Sequence, residues 1–231
     1  MTRGVGIVRF VKVGAIIGIG LIAALAVVAT LPAAAAAAKT LPDVKGHWAE
    51  EAITVLAGKG VIAGYPDGKF HPADPITRAQ YLKLLVLTEE TDISIGLKPS
   101  FADTADHWVH RQGYLETAVK WGIIVPSEYP NRRFEPDKAI SREEMAVWTV
   151  RASYMSLPGT IPENSPLSFK DASKVSPPAV KYVAEAVRLE LIKGRPDNTF
   201  GPADGATRAE AATIVFRRIG RAPTIGCFQH H

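Results

Sequence analysis

The sequence has 231 residues, of which 47% are hydrophobic, and its formal net charge at pH 7 is +4. Its single cysteine, Cys227, excludes an internal disulfide framework, so the fold has to be stabilised by packing. Without residues 1–38, which carry three cations and no acids, the net charge falls to +1 and no basic stripe remains. This excludes nucleic acid as a partner.

The N-terminal segment has the order of an export signal. Three basic side chains within the first 12 residues precede an uncharged run of 19 residues, 13–31, and an alanine tract follows. We predict a signal peptide over residues 1–38 that is cleaved near Lys39. The alternative is a retained membrane helix, because 19 uncharged residues just suffice to cross a bilayer. Both interpretations export the rest of the chain, because the basic flank stays inside.

Three later segments share one skeleton, which predicts repeats of a single unit. Each has an apolar residue two before an aspartate, then an amphipathic stretch, then a phenylalanine eight residues before an arginine. We assign the repeats to residues 41–87, 101–151 and 169–218, with a C-terminal tail at 219–231. The skeleton residues are Asp43, Phe70 and Arg78 in the first repeat, Asp103, Phe134 and Arg142 in the second, and Asp171, Phe200 and Arg208 in the third.

The amphipathic stretch of each repeat is predicted to form a first helix. Apolar residues of the first repeat fall on one face at 3.6 residues per turn, namely Trp48, Ala52, Ile53 and Leu56. Gly60 and Gly122 are expected to end this helix in the first two repeats. Glu190 occupies the equivalent position in the third repeat, where it is expected to end the helix less effectively than glycine.

A chain reversal follows the first helix, where Pro, Asp and Gly each favour a turn. It contains Gly64 and Asp67 in the first repeat, and Gly194 and Asp197 in the third. These four residues are candidates for the ligand site. The corresponding segment of the second repeat, 126–132, is two residues longer and has no glycine, so we expect another shape.

A second helix begins after a capping box in every repeat. The boxes pair Thr77 with Gln80, Ser141 with Glu144, and Thr207 with Glu210. The segments 88–100 and 152–168 are rich in polar residues, Pro and Gly, and they are predicted to be connectors. No two-helix unit can bury its apolar face alone. We therefore predict an all-α fold in which the three repeats pack together with pseudo-threefold symmetry.

An arginine follows each cap, at Arg78, Arg142 and Arg208. A cation there faces the positive end of the helix dipole, which costs a few tenths of a kcal/mol. One hypothesis is that each guanidinium grips a ligand carboxylate, aided by free N–H groups of the same helix end. The other is that it pairs with an acid of a neighbouring repeat, such as Asp67 or Asp197, and docks the repeats. Both hypotheses can be true if a ligand carboxylate displaces the acid that pairs with the arginine in the free protein.

Two tryptophans, Trp48 and Trp108, occupy matching places and either stack on sugar rings or pack in the core. The third repeat has Ser176 in this region, so we expect unequal sites. His107 and His110 lack a third ligand in view, so no metal site is predicted. We find no activated nucleophile, carboxylate pair or phosphate loop, so the chain is predicted to be neither an enzyme nor a cofactor carrier.

Three stretches of the first repeat resemble the S-layer homology domain, and the resemblance extends over about residues 41–218. It implies a three-pronged helical spindle around a central bundle, with ligand grooves between the prongs. It also implies attachment of exported proteins to secondary cell-wall polymers that commonly carry pyruvate ketals, whose carboxylate suits an arginine fork. The stretches are Asp43-Val44 with Gly46-His47-Trp48-Ala49, Gly64-Tyr65-Pro66-Asp67-Gly68-Lys69-Phe70, and Ile76-Thr77-Arg78-Ala79-Gln80.

The expected function is therefore a non-covalent anchor at the cell surface, cell wall or S-layer. Its expected partner is an anionic, pyruvylated secondary cell-wall polysaccharide or a peptidoglycan-linked glycan, with S-layer or other surface proteins as further partners. One alternative is a structural surface-layer subunit or a tether between peptidoglycan and an outer membrane. Another is the wall-binding fragment of a larger glycan-degrading enzyme.

Overall fold

The computed structural model describes residues 41–89, 92–155, 159–163 and 165–220. The predicted signal peptide and the tail from residue 221 onward lie outside these ranges. Within them the chain is helical and has no strand, which confirms the all-α prediction, and none of the helices is long and apolar enough to span a membrane. The helices are α1 (Glu50–Gly58), α2 (Arg78–Leu87), α3 (Trp108–Arg111), α4 (Tyr114–Lys120), α5 (Arg142–Ser153), α6 (Val180–Arg188) and α7 (Arg208–Ile219).

The second helices α2, α5 and α7 begin where the capping boxes predict. In each, the Ser or Thr hydroxyl accepts from the backbone N–H three residues on, and the Gln or Glu side chain accepts from the backbone N–H of the cap. The first helices end where predicted as well. Gly60, Gly122 and Glu190 adopt left-handed φ values of 71°, 72° and 50°, so Glu190 takes a conformation that favours glycine.

The turns after the first helices differ between repeats as expected. In the first repeat, two backbone hydrogen bonds of Tyr65 close a tight turn: its carbonyl accepts from Gly68 and its N–H donates to Lys69. Arg195 forms the same two bonds with Asn198 and Thr199 in the third repeat. In the second repeat, two short 3-10 turns replace it, at Pro126–Glu128 and Pro130–Arg132. The two extra residues of segment 126–132 are accommodated there.

The repeats are joined in a closed cycle. The Ile140 N–H donates to the Ile76 carbonyl (3.1 Å), Ala206 to Ile140 (3.0 Å), and Ile76 to Ala206 (3.0 Å). The helices α2, α5 and α7 contact one another, and the first helix of each repeat packs on the second helix of the repeat before it: α4 on α2, α6 on α5, and α1 on α7. These contacts support the pseudo-threefold spindle, whose overall symmetry stays a prediction.

One hydrophobic core extends through all three repeats, as expected for units that cannot bury their apolar faces alone. It includes the skeleton phenylalanines Phe70, Phe134 and Phe200, each almost fully buried. The prediction was wrong for Trp48, because α1 begins only at Glu50 and the indole is outside its apolar face. Trp48 is 65% exposed, whereas Ala52, Ile53 and Leu56 are buried.

The skeleton aspartates hold the turn that follows each phenylalanine. Both oxygens of Asp103 accept hydrogen bonds, from the N–H of Phe134 (2.9 Å) and of Glu135 (2.8 Å), and the other two repeats share this arrangement. Glu135 is left-handed at φ 50°, a strained conformation for a residue with a side chain. Burial acts to raise the pKa of Asp103, but the two N–H donors outweigh it and lower the pKa below its ordinary value.

The substitution Asp103→Asn is expected to lower the free energy of unfolding by about 2 kcal/mol at pH 7, because an amide accepts only one of the two N–H donors. A lowered pKa means that this stabilisation is present above pH ~4 and disappears as the pH falls through the folded-state value. Urea unfolding followed by circular dichroism at pH 7 and at pH ~2 measures both effects.

The matched control is Asp106→Asn, which changes an exposed carboxylate in the same turn region. This substitution should change the free energy of unfolding by no more than about 0.5 kcal/mol. An equal loss in the two variants, or a loss for Asp103→Asn that persists at low pH, contradicts the assigned role.

Candidate functional site

Each arginine of the skeleton extends from its own repeat into the next and hydrogen-bonds the carbonyl of the next phenylalanine. Arg78 donates to Phe134 (2.8 Å), Arg142 to Phe200 (2.8 Å), and Arg208 to Phe70 (2.9 Å). Arg78 and Arg142 are 7% and 6% exposed. The guanidinium groups therefore dock the repeats, as the second of the two hypotheses states.

The helix ends beside these arginines do not offer free N–H groups, so that part of the ligand hypothesis was wrong. The backbone N–H groups of Arg208 and Ala209 donate to the carbonyls of Asp74 (2.9 Å) and Pro72 (3.0 Å). The first two backbone N–H groups of α2 and of α5 likewise donate to carbonyls of the neighbouring repeat. Because the neighbouring repeat already satisfies these donors, an anion has to be held by side chains.

Two of the three guanidinium groups have an acidic partner, and it is the capping-box glutamate of the next repeat. Arg142 pairs with Glu210 (2.7 Å), and Arg78 pairs with Glu144 and also with Glu135 (3.1 Å).

The partners suggested from the sequence, Asp67 and Asp197, were wrong. Each accepts from a backbone N–H two residues ahead within its own turn, of Lys69 and Thr199 respectively, and Asp67 also contacts His71. Short side chains bound this closely to their own turn do not reach an arginine.

The third guanidinium, of Arg208, has no carboxylate within salt-bridge distance in the described part of the chain. Its hydrogen bonds go to two backbone carbonyls, of Phe70 and of Ala63 (3.3 Å). It also lies over the rings of Phe70 (4.4 Å) and Tyr65 (4.6 Å). The capping box that it faces contains Gln80, which carries no charge. Burial lowers the pKa of Arg208, but a guanidinium remains charged in proteins.

Arg208 lines a cavity of about 280 Å³, which we call the Arg208 groove. Lys83 adds a second cation, and its ammonium lies 6.0 Å from the Trp108 ring centroid and 5.8 Å from that of Tyr114. No carboxylate is among the described residues that line this groove, so its charge is positive. Its lining comprises Val61, Ile62, Ala63, Phe70, Ile76, Gln80, Lys83, Leu84, Trp108, Gln112 and Arg208.

A second cavity, of about 230 Å³, contains Arg78 and is called the Arg78 groove. It has two arginines, Arg78 and Arg151, but also three glutamates, Glu128, Glu143 and Glu144. Arg151 forms a bidentate pair with Glu128 (2.6 and 2.8 Å). The cations of this groove are therefore already neutralised.

The structure brings three of the predicted site residues, Arg208, Gln80 and Trp108, into the Arg208 groove, and two, Arg78 and Glu144, into the Arg78 groove. Trp108 is half-buried, packs against the core and lines its groove, and its stacking on a sugar ring stays a prediction. The other predicted residues line neither groove. They are Trp48, Gly64, Asp67, Thr77, Ser141, Arg142, Gly194, Asp197, Thr207 and Glu210.

The turn glycines have a packing role. A side chain on Gly64 would lie 2.6 Å from the Leu41 side chain and 2.8 Å from the Lys69 carbonyl. At Gly194 it would lie 2.3 Å from the Phe169 ring. Because neither position has room for a side chain, the start of each repeat can pack closely against its turn.

Sequence reasoning missed Lys83, which follows Gln80 by three residues and so lies on the same side of α2. That spacing could have identified it. It also missed Gln112, which lies just after α3, and the pairing of Arg151 with Tyr182 at 4.9 Å from the ring centroid. These last two depend on which helices pack together, and no spacing within one repeat indicates that.

The profile of the S-layer homology domain matches residues 40–82, 100–146 and 168–212. The chain belongs to the S-layer homology family. Domains of this family anchor proteins to the cell surface, and its members are associated with the cell surface or cell wall. Each matched range falls on one of the three repeats, begins three residues before its skeleton aspartate and ends within its second helix.

Several curated proteins are similar to this S-layer homology chain. It is 36% identical over 183 residues to Exoglucanase XynX of Acetivibrio thermocellus, covering 77% of this chain and 16% of that protein. It is 31% identical over 176 residues to a cellulosome-anchoring protein of the same species, covering 71% and 36%. It is 34% identical over 119 residues to an S-layer protein of Bacillus licheniformis, covering 51% and 13%. The chain thus spans well under two thirds of each relative.

Removing a buried docking arginine is expected to destabilise the assembly of repeats. Arg142→Ala leaves the Glu210 carboxylate and the Phe200 carbonyl without their donor, and should lower the free energy of unfolding by about 3 kcal/mol or more. Urea unfolding monitored at 222 nm measures the change. The control is Arg195→Ala, which removes an exposed arginine paired with Asp204 (2.6 Å) and should cost at most about 1 kcal/mol. Similar losses in the two variants contradict the docking role.

Proposed function

We propose that this chain holds proteins non-covalently at the cell surface by binding an anionic secondary cell-wall polysaccharide in the Arg208 groove. The observation that carries the proposal is a guanidinium and an ammonium, of Arg208 and Lys83, in a cavity lined by no described carboxylate. In a partly buried setting such unneutralised cations attract an anion more strongly than exposed ones do. The bound anion is proposed to be a carboxylate, as on a pyruvate ketal.

The shape of the Arg208 groove favours a sugar-sized ligand. Its volume of about 280 Å³ lies at the lower end of the range for small-molecule sites. Trp108 offers an indole face beside the two cations, and such a face packs on the apolar side of a pyranose ring. Gln112 supplies an uncharged hydrogen-bonding group for hydroxyls. One acidic sugar residue of a longer polymer is therefore the proposed unit of recognition.

The Arg78 groove is proposed to be a weaker contact for the same polymer, because its cations already have carboxylate partners. Modest contacts of one chain with one polymer gain strength through effective concentration. The proposed partners are thus the polysaccharide itself and, through it, the peptidoglycan to which such polymers are linked.

A second candidate function is that this chain forms the wall-binding part of a larger protein. The observation that favours it is the short share of each relative that the chain covers, which is 16% for the exoglucanase and 13% for the S-layer protein. In this case the groove has the same role, and the attached part is a glycan-degrading enzyme or a surface-layer subunit.

The purified protein is expected to pellet with isolated cell-wall sacculi and to remain in solution when mild acid has first removed their ketal groups. Arg208→Gln should weaken pelleting by about tenfold or more, since it removes a charge-assisted bond of roughly 1.5–3 kcal/mol. Co-sedimentation at fixed ionic strength gives the bound fraction.

The control for this experiment is Arg195→Gln, which removes an exposed cation outside both grooves and should pellet like the natural sequence. Circular dichroism verifies that both variants are folded. Equal pelleting with untreated and acid-treated sacculi contradicts the carboxylate as the recognised group.

A further inference from the structure

The capping-box glutamates of the second and third repeats each use their two oxygens for two different donors. One oxygen of Glu210 accepts from the Thr207 N–H (2.8 Å), and the other accepts from Arg142 (2.7 Å). Glu144 divides its oxygens in the same way between the Ser141 N–H (3.1 Å) and Arg78. A carboxylate at this position therefore caps its own helix and neutralises the arginine of the repeat before it.

Gln80 performs only the first of these roles. Its side-chain oxygen accepts from the Thr77 N–H (3.1 Å), which leaves Nε2 as the remaining polar atom. An amide nitrogen donates and cannot accept from a guanidinium. In the described part of the chain, neither this nitrogen nor Nη1 of Arg208 has a hydrogen-bond partner. Both side chains line the Arg208 groove, so two donors there lack an acceptor.

We propose that the ligand carboxylate takes the place that the second glutamate oxygen holds in the other two repeats, where it accepts from Arg208 and Gln80. Gln80 is then the specificity-determining residue that leaves this one groove open to an anion. The inference rests on the proposed function and adds to it the atoms that recognise the acid and the number of strong sites, which is one per chain.

The internal glutamates beside Arg78 and Arg142 make an anion bind there more weakly than at Arg208. A ligand carboxylate that approached Arg78 or Arg142 would have to displace an internal glutamate held in place by the fold. It would also lie close to that like charge, which is unfavourable by several kcal/mol. At Arg208 the ligand meets no such competitor, and Lys83 of α2 lines the same groove and adds attraction.

The test uses isothermal titration of the full chain with a methyl hexopyranoside that carries a 4,6-linked pyruvate ketal. Its methyl ester is the uncharged comparison. The chain should bind one equivalent of the acid, and Gln80→Glu should bind it about 50-fold or more weakly, because the new carboxylate pairs with Arg208. Gln80→Met removes the amide donor without adding charge and should weaken binding by about fivefold, and it also removes the oxygen that accepts from the Thr77 N–H, whose loss thermal unfolding measures separately.

The control variant is Asn131→Asp, which makes the same amide-to-acid change on an exposed turn residue outside the Arg208 groove. It should bind the ketal like the natural sequence. The comparison then shows that the position of the new charge weakens binding, and not the change in net charge. Gln80→Glu retains the capping box, since the other two repeats use glutamate there. Thermal unfolding of each variant verifies the fold.

The outcomes separate this inference from the proposed function. If the natural chain binds the ketal and Gln80→Glu binds it equally well, or if two or three equivalents bind with equal affinity, the inference is wrong and the anchoring function stands. If the methyl ester binds as tightly as the acid, the carboxylate is not the recognised group. If the chain binds neither the ketal nor sacculi, the proposed function is wrong and the inference with it.

Discussion

Every repeat is fastened to the next by an arginine that donates to the carbonyl of the following phenylalanine. The skeleton aspartate holds the turn after that phenylalanine, and the first helix packs on the second helix of the repeat before it. A single repeat thus has neither a complete core nor a complete groove. Because the docking arginine Arg208 also lines its groove, that groove is formed only when the three repeats are assembled.

One difference between the grooves lies in the capping box. Where the capping box contains glutamate, its second oxygen neutralises the incoming arginine, and the pair is structural. Where it contains Gln80, the helix is capped in the same way, but the guanidinium of Arg208 has no carboxylate partner among the described residues. In the function proposed above, this residue, which retains the helix cap, decides whether the groove can bind an anion.

Local features of the fold were predictable from the sequence. The capping boxes, the helix stops including Glu190, and the changed second turn all depend on neighbouring residues, and the structure confirms them. The exposure of Trp48 was predicted wrongly because α1 begins only at Glu50. The acid partners of the arginines were predicted wrongly because they depend on which repeat packs against which. Of the site, Arg208, Gln80 and Trp108 were identified singly. That they share one groove follows from the cyclic packing, which brings α7, α2 and α3 together from three different repeats.

Of the three docking arginines, Arg208 alone has no carboxylate partner among the described residues, and we propose that a ligand carboxylate supplies it. A crystal structure of the protein with the pyruvate-ketal hexopyranoside tests it most directly. We expect the carboxylate within about 3 Å of Nη1 of Arg208 and Nε2 of Gln80, with the sugar ring against Trp108. A ligand bound at Arg78 or Arg142 with the Arg208 groove empty, or bound with its carboxylate turned to solvent, would contradict it.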